Sequence, residues 1–263
     1  SSVADWMNIN FENVEANPLH TGAALYVDGE EVTELVIPEG TTEIGEYAFA
    51  GGQFTSVTIP NSVTNIAPTA FAGCTNITSV AVRGDIAAIR SLFPDSYATI
   101  GSVEIGEGAT ALTSHFFDGC ESLTSVTLPS TLEDCGDNDL RWLAELSGGE
   151  GLVINGGWVI GYNGVAPSVL SIPEGVVGIA PWALSEQYDL EEVVLPSTLK
   201  TIGIGAFAGD TILGAVNIPD GVEKIDDKAF RGCSWLTDVD FGAGLKEIGA
   251  EAFSECPRIK AVE

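Results

Sequence analysis

Basic residues are scarce in this chain. Ten Lys and Arg stand against 38 Asp and Glu among 263 residues, a formal net charge of −28. Binding a polyphosphate needs clustered cations, so no nucleic acid partner is expected, and an anionic lipid surface is unfavourable for the same reason. The excess acid leaves two readings open: attraction of cationic partners or calcium, or a well-solvated surface that resists self-association. No apolar run approaches the length that crosses a bilayer, so no direct insertion in a membrane is expected. An initiator Met and a basic-then-apolar leader are both lacking at Ser1, so the chain reads as a mature protein or an excised fragment, expected to be monomeric.

Catalytic signatures are equally thin. The histidines are only His20 and His115, and neither sits near a second His or a nucleophile in a recognisable arrangement. There is no G-x-S-x-G, P-loop or dinucleotide fingerprint. Acidic pairs are abundant, so a carboxylate-dependent glycan hydrolase stays open by residue type alone. Asp137-Asn138-Asp139 has calcium-friendly side chains without the loop spacing and terminal Glu of a calcium site, and a turn with Asx hydrogen bonds is the plainer reading. No catalytic residue, metal or cofactor is expected.

What is present is a period. Ile-Pro or Leu-Pro recurs at Ile37, Ile59, Leu128, Ile172, Leu195 and Ile218, the last three 23 residues apart. Two degenerate coils anchored at Val82 and Ile105 fill the longest gap, and a final coil is anchored at Phe241. Two residues before the anchors stand Leu35, Val57, Val80, Val103, Val126, Leu170, Val193, Val216 and Val239, and Val262 opens a tenth coil. Further apolar columns lie four and seven residues after the anchors, with Thr41 the one departure. Within Leu123–Leu128 the apolar positions alternate with Ser125 and Thr127, which predicts a strand with one buried and one exposed face. The Pro that follows cannot donate to a ladder and ends the strand. The column Gly45, Gly136, Gly203 and Gly249 suits a positive φ. Then comes Ala-Phe, as in Ala48-Phe49 and Ala206-Phe207, read as one helical turn whose Phe plugs the core. Gly51, Gly73, Gly119, Gly209 and Gly232 follow where a terminating glycine belongs.

Two segments break the rhythm. Ala24–Val27, then Asp28-Gly29, then Val32 onward predicts a hairpin with a tight turn. Between Leu128 and Ile172 the gap is 44 rather than 23, and Leu152–Ile154, Asn155-Gly156 and Trp158–Ile160 predict a second hairpin. The expected organisation is a lead-in over 1–19, read as the tail of a preceding block, and one solenoid over 20–263, divided into 20–149 and 150–263, each a hairpin followed by coils.

The pattern I-P-x-x-V-x-x-I-G-x-x-A-F-x-G-C-x-x-L-T-S-V, nearly complete over Ile59–Val80 and Ile218–Val239, resembles the BspA-like class of leucine-rich repeats. The lead-in Asn17-Pro18-Leu19 with Ala24–Gly29 also looks like the segment that opens blocks in that class. The fold expected is an α/β repeat solenoid. It is a right-handed leucine-rich-repeat superhelix of about nine coils with one parallel sheet, short helical turns opposite it, and two inserted hairpins. The resemblance also implies a secreted or cell-surface location and binding of a partner, a host or microbial surface protein or glycan. It supplies no catalytic residues. The function expected is therefore a non-enzymatic extracellular binding or adhesion module. The alternative is a passive spacer presenting another domain.

The outward strand positions are the candidate surface: Thr58, Glu104, Thr127, Ser171, Asn217 and Asp240, one residue before their anchors. They read equally well as a solvated face rich in hydroxyls. The aromatics around the second hairpin, Trp158 and Trp182 among them, are the other candidates, since buried aromatics often carry binding energy. They also serve as apolar lids over irregular joints. Cys74, Cys120, Cys233 and Cys256 share one column and Cys135 replaces an Ile in another, so all five are expected as free, buried thiols.

Overall fold

A computed structural model of the chain describes residues 2–262. It contains two compact units, Ser1–Leu132 and Glu133–Glu263. Ser1 and Glu263, the outer bounds of the expected domains, lie outside the described residues.

In the first unit, Glu34–Val36, Ser56–Ile59, Ser79–Arg83, Ser102–Gly106 and Ser125–Thr127 form one five-stranded parallel sheet. Leu35, Val57, Val80, Val103 and Val126 stand in register across it, and none is more than 5% exposed. In the second unit, Val169–Ser171, Glu192–Val194, Ala215–Ile218, Asp238–Phe241 and Ala261–Val262 do the same. The register predicted from the apolar columns is therefore the observed one. β-Branched side chains at every second position fit a pleated, half-buried surface, and each buried aliphatic contributes roughly 1.5–3 kcal/mol.

The expectation of a single sheet is corrected: the strand column forms two five-stranded sheets, one in each unit. The long gap after Leu128 explains the break. It holds a helix, Arg141–Ser147, and an antiparallel hairpin, Gly151–Asn155 with Trp158–Asn163, turning at Gly156 and Gly157. The hairpin pairs with a different ladder, through Trp158↔Gly178 and Val159↔Ile179. That ladder continues through Thr201–Ile202, Lys224–Ile225 and Glu247–Ile248, so the second unit carries a six-stranded second sheet. In the first unit the corresponding ladder has two strands, Glu43–Ile44 and Asn65–Ile66. The first hairpin, Tyr26–Val27 with Glu30–Glu31 around Asp28-Gly29, is a separate two-stranded sheet.

The Phe of the Ala-Phe pair does plug the core. Phe49, Phe71, Phe207 and Phe230 are 0% exposed, and Phe207 and Phe230 stack at 5.1 Å with planes 6° apart. The turn that carries it is tighter than the helical turn expected. The residue just before the Ala lies in the left-handed region at Tyr47, Trp182, Lys228 and Glu251 (φ 57–62°), and such a residue cannot continue a helix. Of the column expected to have a positive φ, Gly136 has it (φ 59°), whereas Gly45, Gly203 and Gly249 do not, and in their coils it falls two residues later. Gly203 answers a different need: a Cβ there would meet the Ile179 carbonyl at 2.6 Å. The terminating glycines, by contrast, have φ of 74–82° as expected. In the coil anchored at Val82, which lacks Ala-Phe, the helix Ile89–Leu92 takes the turn's place and Phe93 fills the plug, 5.0 Å from Phe71.

Two side-chain devices tie coil to coil. Thr55, Thr78, Thr124 and Thr237 each donate from Oγ1 to a backbone carbonyl of the preceding coil. Two residues after an anchor, Glu107 accepts from the N–H and hydroxyl of Ser130, and Glu174 does the same with Ser197. Asp220 accepts from Ala243 N–H in the same column. Part of the acidic excess is thus spent on otherwise unpaired turn amides. At the start of the first unit, Asn17 is fully buried and donates to the Tyr47 carbonyl at 2.7 Å, while Trp6 Nε1 donates to Ala48 O at 2.7 Å. The lead-in covers polar backbone of the first coil.

Candidate binding face

The outward columns of the first sheet are mostly polar, with Val36 57% exposed at the edge strand beside Thr58. Thr58, Ala81, Glu104 and Thr127 lie side by side in one row, and Ser56, Ser79, Ser102 and Ser125 in the next. Their hydroxyls partly satisfy one another: Ser102 Oγ donates to Ser79 Oγ at 2.9 Å. Beside them, six residues before the anchor, Asn76 Nδ2 donates to Gln53 Oε1 at 2.8 Å.

The second sheet has relief. Ser171 pairs with Val194 and Asn217 with Asp240 in the outward row, and Val169 and Val194 are 49% and 46% exposed. A groove of about 680 Å³ opens here. Gly214 and Ala215 line its middle coil and Glu191 and Glu192 the coil before. Trp235, Thr237 and Arg258 line the far side. Trp235 is 53% exposed, and the Arg258 guanidinium stands 4.3 Å from its ring centroid, a cation–π contact. Both residues occupy the column held by Gln53 and Asn76 in the first sheet. Of the six strand-face candidates, Asn217 alone lines this groove. Trp235 and Arg258 were missed because they lie outside the strand core, although two adjacent coils carrying an aromatic and a cation in one column was a readable signal.

The two tryptophan candidates part company. Trp158 is 1% exposed, with its ring packed over Gly178, so the expectation that it offers ligand surface is corrected. It is a core residue because the hairpin feeds the second ladder at that point. Trp182 is half-buried and lines a separate hollow of about 530 Å³ with Arg141, Ser185 and Arg231. Both cations there are already engaged, Arg141 with Asp139 at 2.6 Å and Arg231 with Glu255 at 2.6 Å.

Elsewhere the reactive groups serve structure. Asp139 accepts from Arg141 N–H and Asn138 donates to Cys135 O, as an Asx turn would have it. Among the described residues no group of three or more His, Cys, Asp or Glu could hold a metal ion. Cys74, Cys233 and Cys256 each direct Sγ at a Phe carbonyl of the preceding coil, at 3.1–3.2 Å. Burial pushes the Cys74 thiol up to about 12 and Cys120 to about 11. Cys233 and Cys256 form a coupled pair. The half-buried Cys256 ionises first, its thiolate accepting from Cys233, which is driven far upward. Asp210, 0% exposed in the same column, is raised to about 8 by burial. Its Oδ1 accepts from Gln187 N at 2.8 Å, and Oδ2 has no hydrogen-bond partner among the described residues.

No curated protein matches the chain in sequence. Solved structures that resemble it include a leucine rich cell surface protein from Faecalibacterium prausnitzii (20% identity, 89% of this chain and 88% of that one, TM-score 0.38). Others are leucine-rich repeat proteins from Bacteroides ovatus (23% identity, 88% and 66%, TM-score 0.35) and Eubacterium ventriosum (19% identity, 88% and 65%, TM-score 0.39). The chain thus spans about two thirds of the length of the last two. A family model described as "BspA type Leucine rich repeat region (6 copies)" matches residues 22–141 and 163–263. Those two stretches take in most of the sequence and both strand stacks, and the chain belongs to the BspA-type leucine-rich repeat family.

Proposed function

We propose that the chain is a non-enzymatic binding module of a microbial surface protein, acting outside the cell and engaging a surface protein or glycan through its outward strand face. The observation that carries this reading is the groove of the second sheet. A concave site of about 680 Å³ mixes exposed apolar surface with carboxylate, amide, hydroxyl and guanidinium groups, the composition of a recognition surface. The repeat family supports a protein-binding or structural role. No helix among the described residues is long and apolar enough to cross a membrane. The flat hydroxyl rows of the first sheet favour a second reading for that unit, a spacer.

The two readings separate in one experiment. Purified chain is offered immobilised host matrix proteins, bacterial surface proteins and glycans. Saturable binding that weakens in Glu192→Arg or Asn217→Arg, both on the exposed face, supports the module. Absence of saturable binding to every target leaves the spacer as the reading.

A further inference from the structure

We propose that the groove over Gly214 and Ala215 is a site for a short neutral oligosaccharide, one sugar ring lying against the indole of Trp235. This rests on the strand-face reading above and names its ligand class.

The groove exists because of two small residues. Gly214 stands in the column that holds Thr55, Thr78, Thr124, Thr237 and Glu191 in other coils, and Ala215 in the column of Ser56, Glu192 and Asp238; the glycine of the first sheet's column, Gly101, is followed by Ser102 and flanked by Thr78 and Thr124 rather than by a Glu. Removing those side chains from one coil leaves a notch between its neighbours, within the ~300–1,000 Å³ of typical small-molecule sites. Trp235 lines the notch, and its ring is steadied by the stacked guanidinium of Arg258. Because the two occupy one column of adjacent coils, the solenoid itself sets the stack, so little side-chain freedom remains to be lost on binding. The π face of an indole is electronegative and accepts the polarised C–H face of a pyranose ring.

The polar lining fits the same ligand. Glu191 and Glu192 accept only, Thr237, whose hydroxyl proton goes to the Gly214 carbonyl, accepts as well, and Asn217 donates and accepts through its amide. Sugar hydroxyls, each donor and acceptor, can meet all of them. Two carboxylates in a chain of net charge −28 repel sialylated or sulfated glycans, which restricts the class to neutral sugars. An extended peptide fits less well. Ala215–Ile218 is already paired with Glu192–Val194 on one side and Asp238–Phe241 on the other. The floor therefore offers no free strand edge, and a peptide's own N–H and C=O groups would lack backbone partners.

The test is an array of neutral oligosaccharides probed with the whole chain, any ligand retained then being titrated by calorimetry. Trp235→Ala removes the platform. Gly214→Thr restores the residue usual in that column and fills the notch; its backbone has no positive φ, and a Cβ there meets nothing closer than Glu191 O at 3.8 Å. Circular dichroism checks that both variants fold. Saturable binding of a neutral glycan, weakened about tenfold or more by each variant, is expected. An array on which no neutral glycan is retained overturns the proposal, as does glycan binding that both folded variants keep within about twofold. Binding of an Arg- and Lys-rich nonapeptide that Trp235→Ala abolishes, without glycan binding, assigns the groove to peptide and also overturns it. In either case a matrix protein bound saturably and weakened by Glu192→Arg leaves the broader strand-face reading standing.

Discussion

The two units run the same 23-residue period and differ in what they hang on it. In the second, each coil after the hairpin places an Ile in the second ladder, and the plugs Phe207, Phe230 and Phe253 stack with planes 6° apart. In the first, the coil at Val82 leaves that ladder for the helix Ile89–Leu92, and the Phe71–Phe93 planes open to 40°. The outward faces differ the other way. In the first, neighbouring polar side chains partly satisfy one another, with Ser102 bonded to Ser79 and Asn76 to Gln53, whereas the second is notched and lined by Trp235 and Arg258. Regular turns and a regular binding face are thus independent properties. The inward columns answer to packing between coils, and the outward ones are free to vary.

The largest contrast expected is chemical. In native buffer Cys256, half-buried and eased by its neighbour, reacts first with a thiol reagent. Cys74, Cys135 and Cys233, buried and raised, react orders of magnitude more slowly until denaturant is added, when five thiols titrate. Peptide mapping of the modified site decides which thiol leads, and a first reaction at Cys74 in the first unit would reverse the comparison.

Next comes the core. Phe207→Ala and Phe71→Ala should each cost about 3–5 kcal/mol, since both empty a fully buried position. The exposed control Thr127→Ala should cost well under 1 kcal/mol. Denaturant titrations measure all three. A much larger loss at Phe207 would mean that parallel stacking, not burial alone, holds the second unit tighter.

A smaller effect is confined to the second unit, because the column of Asp210 holds Gly52, Cys74, Tyr97 and Cys120 in the first. The folded carboxyl titrates near 8 and the unfolded one near the ordinary 3.8, so the fold keeps a proton that the unfolded chain releases. Stability from this group is full below about pH 4, declines as pH rises, and levels off above 8. Asp210→Asn should therefore raise Tm at pH 8.5 and leave it unchanged at pH 3.5. An equal shift at both values would remove titration as the cause.

The smallest effect tests sameness. Glu107 and Glu174 hold the same post in the two units, and both are depressed by the Ser N–H and hydroxyl that they accept. Their contribution is present above the ordinary carboxylate range and is lost as pH falls through the depressed value. Glu107→Gln and Glu174→Gln should lower Tm slightly and equally at neutral pH, and not at pH 3. Unequal losses would show that the irregular coils of the first unit lean on this contact more.

The strand register was legible because it repeats: nine coils placing Leu or Val two residues before the anchor leave one consistent pairing. The plug Phe and the terminating glycines were legible for the same reason. The left-handed turn was not. It falls on Tyr47, Trp182, Lys228 and Glu251, residues with no composition signal for φ > 0, and neighbouring coils impose it through bonds such as Trp182 N to Ile204 O at 2.8 Å. Nor could the sequence rank its tryptophans. Trp158 sits in a strand that enters the second ladder and Trp235 in a turn beside the first, and the burial of an aromatic depends on the partner, not on the aromatic. The groove depends on two missing side chains, Gly214 and Ala215, which an inventory of chemically active residues passes over.

The unbroken parallel pairing from Leu170 to Val193, and from Val216 through Val239 to Val262, makes the second sheet a ruler. Its divisions are about 4.8 Å, the spacing between neighbouring strands. Any two groups that reach Asn217 and Asp240 together must be one division apart, whatever molecule carries them. Adding or deleting a whole coil of 23 residues would move a ligand group by one division and keep every side chain on its own face. Any change that slipped a strand by one residue would turn the outward row into the core. Variation in reach is thus available in whole steps only, and the identity of the groups at each step can change without disturbing the scale.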